Sequence, residues 1–183
     1  MKRWIGPLLL GTVLAVGVHF ALLQAAPAFI MGKALERLEE GGIPQHGFRL
    51  SPRITPQTQA VVRSSPDLAY SLCRFDFTAN GRRPLIVRAA AWSGYASLSF
   101  YDARTDNFAT LRGSGDDMDT ALLPPGASAA PGQLVSPSDT GVILIRRLAP
   151  DDASHARVAA IASGDRCAAQ PGTGGLEKRR REG

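Results

Sequence analysis

From Ile5 to Leu23 the chain reads IGPLLLGTVLAVGVHFALL, nineteen residues without one formal charge. As a helix with ~1.5 Å rise per residue this stretch is roughly 28 Å long, nearly the thickness of a bilayer's hydrocarbon core. A lone segment in lipid must be helical, because only a helix satisfies all of its backbone polar groups internally. Thr12 and His19 are its polar side chains, and Pro7 falls in the first turn, where a missing N–H costs little. The segment predicts a transmembrane helix over 5–23 after a short cytoplasmic N-terminus, 1–4. Apolar character persists past Gln24 and then yields to Lys33-Ala34-Leu35-Glu36-Arg37-Leu38-Glu39-Glu40. A separate amphipathic juxtamembrane helix is expected within 24–40.

Two fates of the segment stay open: a retained signal anchor, or a signal peptide cleaved near Ala26-Pro27-Ala28. The apolar run is longer than a signal peptide's usual apolar core, and Pro27 interrupts the small-residue site, so the anchor is the reading adopted. Lys2 and Arg3 before the segment nearly balance Lys33 and Arg37 after it, which leaves orientation to other signs. Cys73 and Cys167 supply one. They lie far apart, with no Cys-x-x-Cys and no local His, and fit a structural disulfide better than a metal site. A bridge closing about 94 residues would constrain the unfolded chain by roughly 4–5 kcal/mol and imply an oxidising compartment. Two buried free thiols, with a cytosolic body, are the alternative.

The remaining chain divides into a linker over 41–57 rich in Gly and Pro, a body over 58–168, and a basic tail over 169–183 expected to be disordered. Most of the formal charge of +5 comes from Lys2 and Arg3 at one end and Lys178–Arg181 at the other. The body has no concentrated basic surface, which argues against a nucleic-acid partner. Strands are expected at 58–63, 70–77, 85–89, 95–101, 107–112 and 142–148, with Ala79-Asn80-Gly81 turning a hairpin between the second and third. Ala96, Leu98 and Phe100 alternate as in a half-buried strand, while Val142-Ile143-Leu144-Ile145 suits a central one. The stretch 123–137 reads as a long surface loop. After Pro150, Asp151-Asp152 and an Ala-rich run predict a helix that ends at Gly164. The fold class expected is an N-terminal transmembrane helix plus a mainly antiparallel β domain with one C-terminal helix.

Chemistry-bearing constellations are sparse. His19 lies in the apolar segment, His46 in the linker and His155 on the Ala-rich helix, and no Gly-x-Ser-x-Gly elbow supports a serine hydrolase. Asp116, Asp117 and Asp119 lack calcium-loop spacing and read as a solvated turn. Tyr70, Phe75, Trp92, Tyr95 and Phe100 could wall a pocket, though core packing is the default. No phosphate-binding glycine loop is present. No metal, no cofactor and no catalytic residue is assigned.

Ser65-Pro66-Asp67-Leu68-Ala69-Tyr70-Ser71, Arg74-Phe75-Asp76, and Tyr101-Asp102-Ala103-Arg104-Thr105-Asp106-Asn107-Phe108-Ala109 together resemble the bacterial domain-of-unknown-function family 1254. Thr140–Leu148 and the Asp151-Asp152 helix look like that family's closing strand and helix, so the resemblance runs over about residues 48–166. Longer members carry Pro-Asn-x-Asp-Thr-x-Tyr-Ser at the first motif, of which Asp67, Tyr70 and Ser71 carry over here. Longer members also continue into a second domain, and this chain resembles the short, membrane-anchored type. The resemblance implies an antiparallel β domain, exported and membrane-associated, with no established reaction. The expectation is therefore an inner-membrane single-pass protein with a periplasmic body that binds or scaffolds at the envelope, its partners the bilayer and a separately encoded envelope protein. The alternative is an envelope enzyme, hydrolase-like or a half-enzyme completed by a second protein. Asp67, Tyr70, Asp102 and Asn107 are the candidate ligand-binding residues.

Overall fold

The structure is a computed structural model that describes residues 2–55, 64–113 and 115–171. After a 3-10 turn at Lys2–Trp4, one continuous helix, α1, runs Ile5–Glu40, about 54 Å long by its helical rise. Residues 4–26 are exposed along it. The separate juxtamembrane helix expected over 24–40 is the lower half of this same helix. Pro27 sits inside it and forfeits one backbone bond without ending it. What ends it is Gly42, at φ +76°, which lets the Gly42 N–H reach Glu39 O at 2.8 Å and the Ile43 N–H reach Leu38 O at 2.8 Å.

Nine strands follow: β1 Arg49–Leu50, β2 Leu68–Asp76, β3 Leu85–Ala89, β4 Ala96–Tyr101, β5 Asn107–Gly113, β6 Met118–Leu123, β7 Gln133–Val135, β8 Thr140–Leu148 and β9 Arg166–Ala169. Helix α2, Asp152–Ile161, separates the last two. The first sheet is ordered β1-β2-β8-β4-β5 and the second β7-β6-β3-β9. All pairs are antiparallel except β6–β7. Phe75, Leu98, Phe100, Ile143 and Ile145 of the first sheet pack with Leu85, Val87 and Leu122 of the second, all essentially without solvent exposure. Cys73 on β2 and Cys167 on β9 form a disulfide that joins the two sheets through this core.

Several expectations change on contact with this topology. The Asn80 turn forms, held by the Asn80 side chain on the backbone of Arg83, but it passes from one sheet to the other and makes no hairpin. β2 pairs instead with β8, far along the chain, because both are long and largely apolar on the inner face. The linker contributes β1, and the expected loop at 123–137 contains β7. β4 is buried on both faces, Ser97 and Ser99 included, where a half-buried strand was expected. The expected strand 58–63 and most of the expected tail lie outside the described residues. Helix α2 starts as its sequence predicts: Asp151 Oδ1 accepts the Ser154 N–H at 2.7 Å while the Ser154 hydroxyl accepts the Asp151 N–H.

Candidate functional site

Past the end of α1 the chain folds back against β2 and makes a recess that charged side chains line together. Gln45 bridges to Arg74, whose Nε donates to Ile43 O at 2.9 Å and whose Nη1 meets Glu39 Oε2 at 3.1 Å. Leu35, Phe75, Asp76 and Thr140 complete an open groove of about 180 Å³. That is below the ~300–1,000 Å³ of ordinary small-molecule sites.

His46 stands beside the groove at φ +57°, and its Nε2 accepts the Asp76 N–H at 3.2 Å. Nε2 is therefore the unprotonated nitrogen. Burial is the main reason its pKa falls below the ordinary 6.5, helped by the Arg83 charge and opposed by the Asp76 carboxylate. Burial on its own would raise the Asp76 carboxyl. The Thr78 hydroxyl and N–H at 2.7 and 2.8 Å, the Ala79 N–H and the His46 charge outweigh it and hold the group below 3.8. Chemically the groove is self-satisfied: Glu39 serves Arg74, Asp76 serves the Thr78 turn, and the His46 lone pair is occupied.

The four candidate residues do not converge. Tyr70 pairs across β8 with Arg146 and Tyr101 with Val142, so Tyr70 lies about 13 Å along the strand from the level of Tyr101 and its partner Asn107, and Asp67 and Asp102 extend away in opposite directions and lie further apart. The Tyr70 hydroxyl accepts the Ser65 N–H at 3.0 Å, and Asp67 is exposed. Asp102 Oδ1 accepts from the Arg104 and Asp106 N–H groups at 2.7 and 2.9 Å, closing the β4–β5 turn. Asn107 Oδ1 accepts from the Thr110 hydroxyl at 3.0 Å. Tyr70, Asp102 and Asn107 are each engaged with nearby structure.

The other candidates scatter likewise. Phe75 and Phe100 are core residues, Trp92 donates to Leu148 O at 3.1 Å, and Tyr95 is exposed. Asp117 pairs with Arg88 and accepts the Ala91 N–H at 2.8 Å. Among the described residues no three His, Cys, Asp or Glu side chains gather as metal ligands. Sequence reasoning missed the groove, whose members come from α1, the linker and two strands. It also missed a buried ion pair between Arg147 and Asp165, for which the alternation Ile143, Ile145, Arg147 was the available signal.

Residues 47–169 match the family DUF1254, described as a protein of unknown function. Among solved structures the chain is similar to the VPA0106 protein from Vibrio parahaemolyticus, at 16% identity and a TM-score of 0.50, over 75% of this chain and 35% of that one. It is also similar to an uncharacterized protein from Burkholderia cenocepacia, at 19% identity and a TM-score of 0.42, over 60% of this chain and 31% of that one. The chain thus spans about a third of the length of each, and the first likeness bears on fold alone. No curated protein matches the chain.

Proposed function

The chain belongs to DUF1254, a family of proteins of unknown function, and from that premise we propose that it is a single-pass protein of the bacterial inner membrane whose body, on the periplasmic side, binds or scaffolds at the envelope. One observation carries the reading. A helix with a mean hydropathy of 2.0, none of it buried over its apolar window, runs directly into a body closed by a disulfide. The first feature suits lipid, and the second an oxidising compartment. Self-satisfied polar groups around a small groove favour recognition over catalysis.

Because Cys73 and Cys167 are buried in their bond, topology is best read at an added thiol. Ser128→Cys, on an exposed loop, is expected to react with a membrane-impermeant maleimide in intact cells with the outer membrane permeabilised. Reaction only after lysis would put the body in the cytosol and overturn the reading. A photo-crosslinker at Gln45, on the rim of the groove, is expected to give one discrete protein adduct in cells. Its absence would count against a scaffolding role.

A further inference from the structure

Helix α1 also grips the body, and the order of its grips is informative. Arg104 Nη2, in the β4–β5 turn, donates to Gln24 Oε1 at 3.1 Å. Pro27, Ala34, Leu35 and Leu38 are half-buried and Met31 is buried, one stripe along one face of the helix. Further along, Glu39 meets Arg74 of β2, and α1 also packs on β8, which lies between β2 and β4. Moving away from the apolar run, the helix therefore meets β4–β5, then β8, then β2. It crosses the strands of the first sheet, and the strand order becomes an order of height, with β5 nearest the apolar run.

The apolar run from Trp4 to Leu23 matches a hydrocarbon core of about 30 Å, so the core's boundary falls beside Gln24, while Glu39 lies about 22 Å beyond it. The geometry points to phospholipid head groups as the partner of the β4–β5 turn and the β5 edge, an inference that rests on the membrane anchoring proposed above. Arg104 and Arg112 are exposed there, at the level of lipid phosphates. Phe29, 68% exposed and two residues before Met31 on the opposite helix face, and Ile30, 57% exposed, supply apolar contact in the same interfacial layer. Among the described residues β5 pairs only with β4, which leaves an outer row of backbone groups that polar head groups and their water can satisfy. Lipid is the occupant because this surface is continuous with the span itself.

The test uses the full chain with its disulfide intact, carrying a fluorophore at Thr105→Cys or at Glu40→Cys, both exposed positions. The probe membrane is a vesicle of phosphatidylethanolamine and phosphatidylglycerol with a nitroxide on a fraction of the head groups. Quenching several-fold stronger at position 105 than at position 40 is expected, and weaker quenching at 105 when Arg104→Gln and Arg112→Gln are added. Equal quenching at the two positions, or stronger quenching at 40, overturns the docking. Flotation separates anchoring from docking. Protein that fails to float with the vesicles defeats the anchor and this inference together, whereas protein that floats with position 105 unquenched defeats only the docking.

Discussion

The side chains of Arg147 and Asp165 are 1% and 0% exposed, and the two form an ion pair. Arg147 Nη1 and Nη2 donate to Asp165 Oδ2 and Oδ1 at 2.9 and 2.6 Å, Nη2 also reaches Ala90 O, and the Ala90 N–H returns a bond to Asp165 Oδ1. The four bonds tie β8, the end of β3 and the start of β9 at one point. Asp165→Ala strands the guanidinium and is expected to cost about 3–5 kcal/mol, read from the urea midpoint of the detergent-solubilised protein. The paired change Arg147→Met with Asp165→Leu is expected to recover most of that loss. Arg147 was legible, since Ile143 and Ile145 face inward and it shares their parity. Asp165 was not, because it sits in a turn with no period to read. His46 brings a pH dependence of defined sign. Its pKa is lowered on folding, so the unfolded chain binds the proton more readily, and stability falls as pH drops from about 6.5 toward the folded value. Asp76, also lowered, adds a loss in the same direction only below 3.8. His46→Gln, which keeps an acceptor, is expected to flatten the first phase and spare the second in unfolding curves collected from pH 7.5 to 3.

Among the elements, β8 is the pivot, flanked by β2 and β4 through nine and six residue pairs. Its tightest point is Gly141, where a Cβ would strike the Tyr101 carbonyl and come within 2.6 Å of Phe75 Cζ. Gly141→Ala is expected to destabilise by ~1–3 kcal/mol or more, because the obstacle is backbone and cannot rotate away. Circular dichroism melts would register it, with Gly81→Ala a milder comparison in open space, strained only by its φ of +70°. The long strands β2, β4, β5 and β8 and helix α2 were readable because each carries enough residues for a period to emerge. β1, β7 and β9 span two to four residues and carry none. The hairpin expectation failed for a related reason: Asn80-Gly81 fixes a local turn, while the partner of the strand leaving it is decided by inner-face packing across the whole sheet.

At the scale of the whole molecule the two sheets are held by a shared core and by one covalent link between residues 94 apart in sequence. Replacing both cysteines by alanine is expected to remove roughly 4–5 kcal/mol, seen as a matching fall in the denaturant midpoint of the non-reduced protein. A residual transition should remain, because Leu85, Phe100, Ile143 and their neighbours still exclude water without the bond. The apolar helix and the cysteine pair were visible in sequence as composition and spacing. The groove was not, since it exists only where α1, the linker and β2 meet. That same strand order sets a timetable for a chain that emerges from its N-terminus. β2 waits for β8, and one edge of β3 waits for β9, so the core cannot close until these late strands are out. β4–β5 and β3–β6–β7 can pair early, but whatever synthesises or moves the chain must keep β2 and the open edge of β3 apart from other chains until β8 and β9 arrive.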